Sequence, residues 1–301
     1  MIIQRPKVLL TRKWPDRVED KLCSRFEVEL NHDDHPFTKK ELLDALKKFD
    51  AICPSVTDKL NGTILRSGNG VHRTKILANY GAGHDHIDLS AAEDTGISVT
   101  NTPDVLTAST AEITIALILA AARRISEAET LIRAGLWSGW NPTQLLSTGV
   151  TGKTLGLIGM GRIGQRVAEI AGHGLQMGIQ YFSRSKVSAK RLNGLKVSKV
   201  SLNRLLSTSD FVSIHCAANE DTFGLIGERE LNLMQSHSFL INTARGTIIS
   251  EKALAEAVRN KTIAGAGLDV YENEPTVNPA LQKESNITLL PHMGSGTIET
   301  R

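Results

Sequence analysis

The sequence predicts an α/β chain of two doubly wound, parallel-sheet domains. Short β-branched and apolar runs alternate with longer helical patterns along the whole chain, the rhythm of parallel strands joined by helical crossovers. The series breaks at Asn101-Thr102-Pro103-Asp104 and resumes at Thr154. A length of 301 residues is enough for two cores of ordinary size.

Val8-Leu9-Leu10 reads as the first strand and Arg17 to Phe26 as the helix after it. Phe26 to Leu30 alternates as a second strand. Thr38-Lys-Lys-Glu41 is a capping box, opening a helix that runs to Phe49. Ala51-Ile52-Cys53, Lys75 to Ala78 and Ile97 to Thr100 complete the strands of a first domain over residues 1–101. One long helix is expected from about Thr110 to Ile132. Its apolar residues cover most of its circumference, so burial on several sides follows. The second series places strands at Leu155–Ile158, Ile179–Phe182, Phe211–Ile214, Phe239–Asn242, Ala264–Val270 and Ile287–Leu290, within a second domain over 102–291. No repeat or low-complexity segment stands out.

Composition narrows the function. Aromatics are only 4% of residues, which argues against a nucleic-acid reader built on stacking. The net charge of +3 is too small to imply a polyanionic partner. Cys23, Cys53 and Cys216 form no CxxC and no metal pattern, and so sparse a set suits a reducing compartment. His84, His86, His32 and His35 lack the cysteines or acids that would complete a metal site, so no metal is expected. Arg5, Pro6 and Lys7 interrupt the apolar start from Met1 to Leu10, which has no signal-peptide shape. The most apolar stretch, Ile113 to Ala122, is about half of the roughly 20 residues a membrane span needs. A cytoplasmic protein is the expectation.

The segment Thr154-Leu-Gly-Leu-Ile-Gly159-Met-Gly161-Arg162-Ile163-Gly164 joins a strand to a helix. Gly159 permits the tight turn. Gly161 lets the backbone approach a pyrophosphate, and Gly164 lets helix and strand pack closely. With a second strand arriving on schedule, the second domain reads as a Rossmann dinucleotide-binding domain.

Three further strand exits carry chemistry. Arg245 follows Ile241-Asn242-Thr243-Ala244, Glu274 follows Leu268-Asp269-Val270-Tyr271, and His292 follows Leu290-Pro291. In an open α/β sheet the ligand crevice lies at the carboxyl ends of the strands, where a guanidinium, a carboxylate and an imidazole could converge. Together such groups can hold an anionic ligand and pass a proton. Arg245 offers a forked donor. His292 can supply the proton. Glu274 would orient the ring.

Taken together with Gly81-Ala82-Gly83-His84-Asp85-His86-Ile87-Asp88, these segments resemble the D-isomer-specific 2-hydroxyacid dehydrogenases over nearly the whole chain. Cys53-Pro-Ser-Val-Thr-Asp58 and Gly135-Leu-Trp137-Ser-Gly-Trp140-Asn-Pro142 look most like the glyoxylate and hydroxypyruvate reductases of that family. The resemblance implies an NAD(P)-dependent enzyme with Arg245, Glu274 and His292 as the catalytic set. It implies that Ala82, Gly83, Arg245 and Ser295 bind substrate, the first two through backbone N–H groups. It implies a cofactor site of Thr110, Gly159, Gly161, Arg162, Ile163, Gly164, Ser183, Arg184, Ser185, Cys216, Thr222, Thr243, Ala244, Asp269, His292 and Gly294. It also implies a flavodoxin-like substrate-binding first domain and a homodimer paired through the Thr110–Ile132 helix. Relatives usually continue past the position of Arg301 with a helix returning to the first domain. Residues 292–301 are therefore expected to begin that return, with the helix itself absent.

Two finer expectations concern ligands. An NAD-type site carries Asp or Glu about 20 residues beyond the glycines. Here Tyr181-Phe182-Ser183-Arg184-Ser185-Lys186 stands there. No acid occurs from Ile170 through Ser209, whereas Arg184, Lys186, Lys190, Arg191, Lys196, Lys199 and Arg204 do. NADP(H) is therefore expected in preference to NAD(H). The absence of added cations near Asn79 and Pro54 favours a short, uncharged tail on the keto acid, as in glyoxylate and hydroxypyruvate, over phosphohydroxypyruvate. The competing readings are a D-lactate or phosphoglycerate type of dehydrogenase, and a non-catalytic nucleotide-sensing interaction protein of the same fold, which would bind nucleotide without turning over a keto acid.

Overall fold

A computed structural model describes residues 5–187, 192 and 194–301. The first four residues, and Lys190 and Arg191 of the basic segment, lie outside the described residues. The chain forms two compact units, the first running to Val105 and the second spanning Leu106–Thr300. The division thus falls a few residues after the position read from the sequence. Residues 292–300, expected to begin a return to the first unit, belong to the second. Thr300 Oγ1 donates to Ser109 Oγ there at 3.2 Å.

The first unit contains β1 (Lys7–Leu10), α1 (Asp16–Cys23), β2 (Glu27–Glu29), α2 (Lys39–Lys48), β3 (Ala51–Cys53), α3 (Gly62–Leu65), β4 (Ile76–Ala78), α4 (Leu89–Asp94) and β5 (Ser98–Thr100). The predicted capping box is present. Thr38 accepts from the Glu41 N–H while the Glu41 carboxylate accepts from the Thr38 N–H. The five strands are parallel in the order β2-β1-β3-β4-β5, the flavodoxin-like arrangement whose switch point lies between β1 and β3.

The second unit opens on α5 (Thr107–Ala122) and α6 (Ile125–Arg133). The single long helix read from the sequence is therefore two. Arg124 adopts a left-handed conformation, φ 54°, which ends the first helix. Its guanidinium forks onto Glu127 at 2.9 and 2.8 Å and reaches the Leu146 carbonyl at 3.2 Å, fixing the restart. Helix α5 is apolar nearly all round because it packs against the sheet and a neighbouring helix. Helix α6 has no buried residue.

Then follow β6 (Thr154–Ile158), α7 (Arg162–Glu169), β7 (Gly178–Phe182), β8 (Val197–Lys199), α8 (Leu202–Thr208), β9 (Phe211–Ile214), α9 (Glu228–Leu233), β10 (Phe239–Asn242), α10 (Glu251–Arg259), β11 (Gly265–Leu268), α11 (Pro279–Gln282) and β12 (Ile287–Leu289). Their parallel order is β12-β11-β10-β9-β6-β7-β8, the dinucleotide-binding order with one strand added at an edge. The short edge strand β8 was not read from the sequence. Apolar clusters cover both faces of this sheet, one built around Leu240, Leu254 and Ile263, the other around Leu117, Leu157 and Val167.

Candidate active site

The glycine turn sits between β6 and α7 against the end of β9. Gly159 has φ 98°, and a Cβ there would lie 2.5 Å from the Cys216 nitrogen. A Cβ on Gly164 would lie within 2.4 Å of the Gly159 carbonyl, so the first turn of α7 can press on the strand exit only as glycine. Gly161 differs: nothing lies within 4 Å of the position its Cβ would take. It is the N-cap of the helix it precedes and carries no side chain to cover the helix start. A helix start built in this way accommodates an anion such as a pyrophosphate. Arg162 and Ile163 begin that helix.

Beyond β7, the Ser183 hydroxyl donates to the Ser185 carbonyl at 2.8 Å. Lys199, on β8, donates to the Arg184 carbonyl at 3.0 Å. The structure thus brings a second cation to Arg184, and the sequence reading had not singled it out. At the exit of β9, Cys216 and His215 lie against Gly159. His215 is held to Ser213 at 2.9 Å, and desolvation pulls its pKa down to about 3, which keeps the ring neutral. One loop further, Thr222 donates to the Ala217 carbonyl at 2.8 Å.

The three catalytic candidates leave neighbouring strands at the same end of the sheet. Glu274 Oε2 and His292 Nδ1 are 2.6 Å apart, and Glu274 Oε1 accepts the Tyr271 N–H at 3.0 Å. Burial works to raise the Glu274 pKa. The hydrogen bond and charge of His292, the Tyr271 N–H and the charge of Arg245 outweigh it, and the carboxyl sits below its ordinary value. Arg245 follows β10, and its guanidinium donates to the Ala244 carbonyl at 2.8 Å. The Asn242 side chain holds this turn at both ends, accepting the Ala244 N–H at 3.0 Å and donating to the Arg245 carbonyl at 2.8 Å. Gly246 then passes so close to the next loop that a Cβ would lie 1.9 Å from the Tyr271 carbonyl carbon.

His292 has φ 52°, a left-handed conformation that costs a non-glycine residue about 1–2 kcal/mol. Asp269, 1% exposed, holds it there. Its two carboxylate oxygens accept the N–H groups of Met293 and Gly294, each at 2.8 Å. Burial raises the Asp269 pKa. Thr110 on α5 donates to the Gly294 carbonyl at 3.4 Å, and Thr114, one turn on, meets Thr243 at 2.9 Å. The Ser295 carbonyl accepts from Thr297. Thr110, Thr243, Asp269, His292 and Gly294 are thus linked at one end of the sheet.

In the first unit, Ala82 and Gly83 lie on the turn that leaves β4. The chain exits of β1, β3 and β4 are tied together there. Buried Asp58 accepts from Thr11 Oγ1 at 2.6 Å and from the Ser55 N–H at 2.8 Å, the Tyr80 N–H donates to the Pro54 carbonyl, and Trp14 stacks obliquely on Tyr80 at 4.6 Å. Arg12 reaches Thr57, yet its fork rests on Asp34 at 2.8 and 3.0 Å, so the charge it brings is already paired. Among the described residues, no group of three or more His, Cys, Asp or Glu side chains is placed to hold a metal ion.

The model of the NAD-binding domain of D-isomer-specific 2-hydroxyacid dehydrogenases matches residues 115–294. The chain belongs to this family. It is 42% identical to the glyoxylate reductase of Thermococcus litoralis over 99% of this chain and 89% of that protein. Among solved structures, a glyoxylate reductase from Paecilomyes thermophila superposes with a TM-score of 0.85 at 34% identity, covering 100% of this chain and 91% of that one. An NADPH-dependent glyoxylate/hydroxypyruvate reductase from Sinorhizobium meliloti, solved with NADP and malonate, gives 0.85 at 33% identity over 99% and 89%. The chain is accordingly an NAD(P)-dependent dehydrogenase. Its two parallel-sheet units, the second of Rossmann type, are those of the family.

Proposed function

We propose that this dehydrogenase reduces a small 2-keto acid, glyoxylate or hydroxypyruvate, to the 2-hydroxy acid, the D isomer where carbon 2 is chiral, and that it prefers NADPH. The observation that carries the reaction is the Glu274–His292 pair. An ionised carboxylate only accepts, so His292 Nδ1 carries a proton and Nε2 is the atom that hands a proton to the developing alkoxide. Arg245 engages the carboxylate and carbonyl oxygens of the keto acid with its flat fork. When bound, the nicotinamide supplies the hydride. The first turn of α7, from Gly161 through Ile163, would hold its pyrophosphate. Thr110, Thr243, Ala244, Asp269 and Gly294 would hold the nicotinamide end. Ser183, Arg184 and Ser185, with Lys199 beside them, would hold the ribose and its 2′-phosphate, Cys216 and Thr222 lying beyond the glycine turn.

The cofactor preference is supported by the lack of any acid at the exit of β7 and by the two cations gathered there. The Sinorhizobium enzyme, NADPH-dependent and solved with NADP, agrees with it. The substrate preference is supported by the names of the relatives and by the pairing of Arg12 to Asp34, which already engages the guanidinium fork at the β1 exit. A kinetic panel of glyoxylate, hydroxypyruvate, pyruvate and phosphohydroxypyruvate, each with NADPH and NADH, tests both. The first two lead if the reading holds. A lead for phosphohydroxypyruvate, or kcat/KM equal or higher with NADH, contradicts the corresponding half.

We also propose a cytoplasmic homodimer, on revised grounds. The apolar surface of α5 is consumed within its own unit. Six of the exposed apolar residues follow one another on α6 and the segment after it: Ile125, Ile132, Leu136, Trp137, Trp140 and Leu146, with Trp140 82% exposed. A patch of this kind suits an isologous contact. Light scattering at micromolar concentration should give twice the chain mass, and a monomer would count against it.

A further inference from the structure

The chain leaves β4 through Asn79-Tyr80-Gly81-Ala82-Gly83. Asn79 is 2% exposed. Its Nδ2 donates to the Gly81 carbonyl at 3.1 Å and to the Gly83 carbonyl at 2.9 Å, using both amide hydrogens. Its Oδ1 faces His86 Nε2 at 2.9 Å, which fixes the end of the amide that points at the turn. Asn101, just after β5, donates Nδ2 to the Ala82 carbonyl at 2.8 Å. Three successive carbonyls are therefore each drawn onto a side-chain amide.

In a planar trans peptide, the C=O of one residue and the N–H of the next point in opposite directions. Fixing the carbonyls of Gly81, Ala82 and Gly83 therefore fixes the N–H groups of Ala82, Gly83 and His84, directed away from the two asparagines. None of these three N–H groups has an acceptor among the described residues. Unpaired, aligned N–H groups in an ordered turn form an anion seat.

We propose that Asn79, seconded by Asn101, is a positioning residue for the substrate carboxylate: its amide turns the carbonyls of the turn inward and so presents the N–H groups of Ala82 and Gly83 outward. This rests on the 2-keto-acid reading above. Asn79 acts through the peptides it pins and need not touch the substrate. A carboxylate at position 79 would face the same two carbonyls with acceptors only, so the turn would lose both Asn79 bonds at nearly constant side-chain volume, keeping those from Asn101 and the Thr102 N–H.

The test is Asn79→Asp in the full-length enzyme, read by KM and kcat for glyoxylate, the inhibition constant of oxamate (a non-reducible keto-acid analogue), and the Kd of the reduced cofactor. The KM and the oxamate constant should rise about 10- to 100-fold, the range for one or two lost charge-assisted hydrogen bonds, with kcat moving far less and cofactor Kd unchanged. A merely structural defect would not separate KM from kcat or spare the cofactor. Should Asn79→Asp not fold, Asn101→Ala removes one anchor from an exposed position and should raise the same two constants about 3- to 10-fold. A wild-type chain inactive on every keto acid overturns the functional reading and this inference with it. An active wild type whose variant keeps its KM and oxamate constant overturns the inference alone.

Discussion

Replacing Asp269 by Asn tests whether the geometry of the proposed proton donor, His292, is held from beneath. The wild-type carboxylate accepts two N–H groups, from Met293 and Gly294, both at 2.8 Å and in a fully buried position. Asparagine has one oxygen and one NH2 group. One N–H keeps a neutral acceptor and the other meets a donor. The first change forfeits about 1 kcal/mol, as a charge-assisted bond becomes a neutral one, and the second leaves a buried N–H unsatisfied at about 1–3 kcal/mol. Against this stands the left-handed His292, whose release would recover about 1–2 kcal/mol. The loop therefore has an incentive to leave its conformation once the carboxylate goes. If it stays, the variant loses about 2–4 kcal/mol of stability, a fall in Tm of roughly 5–15 °C for a unit of this size. If it leaves, His292 moves off the Glu274 carboxylate and kcat falls by about 10²-fold or more. Thermal unfolding and steady-state kinetics on the same preparation read both branches. A variant with wild-type kcat and a Tm within about 2 °C of wild type would refute the reasoning.

The remaining predictions follow from single contacts. His292→Ala should lower kcat by about 10²-fold or more while leaving cofactor binding nearly intact, by fluorescence titration with the reduced nucleotide. Gly246→Ala puts a methyl group 1.9 Å from the Tyr271 carbonyl carbon, so the Arg245 and Glu274 loops must part; activity should be lost together with several degrees of Tm. Arg184→Ala combined with Lys199→Ala should lower the NADPH-to-NADH ratio of kcat/KM, and an unchanged ratio would remove both cations from the explanation. The hydrogen bond from Arg12, with that from the Lys13 N–H, holds the Asp34 carboxyl at about 2 against its ordinary 3.8. Its contribution to stability is therefore complete above about pH 4 and lost as pH falls toward 2, so Asp34→Asn should flatten the acid limb of stability measured by denaturant titration.

The parts of this molecule that were legible in the sequence are those written in periodicity and punctuation. Every strand but β8 announced itself between turn residues, and Thr38 with Glu41 announced a helix start. The break in the Thr110–Ile132 helix did not show. Arg123 and Arg124 are good helix formers, and no Gly or Pro marks the place. What ends the helix is a left-handed residue, Arg124, whose guanidinium forks onto nearby Glu127 and reaches the distant Leu146 carbonyl. Strand β8 was hidden for a related reason. Val197-Ser198-Lys199 is short and mostly polar, and it becomes a strand because β7 offers it an open edge. Within the site, Arg245, Glu274 and His292 were found because a charged residue after an apolar strand is conspicuous. Asn79, Asn101 and Asn242 were passed over because asparagine after a strand is ordinary turn chemistry.

That blind spot follows from the way the candidate site is built. The residues that would meet the substrate are carried on turns, and a turn has many conformations of similar energy. Each turn is reduced to one by a polar side chain placed where the strand ends. Asn79 and Asn101 pin the carbonyls around Ala82 and Gly83. Asn242 closes the turn that carries Arg245. Asp269 grips the two N–H groups that follow His292. In each case the pin bonds to backbone, so its effect does not depend on which side chain the turn presents. Substrate range can then change through the presented residues while the pins stay fixed. The choice of pin follows the group it must hold. Where carbonyls are to be turned inward an amide donor is used, and where N–H groups are to be held a buried carboxylate is used. An exchange of Asn for Asp, the most conservative change in shape, should therefore be among the most damaging at all of these positions, because it exchanges donor for acceptor within an unchanged outline.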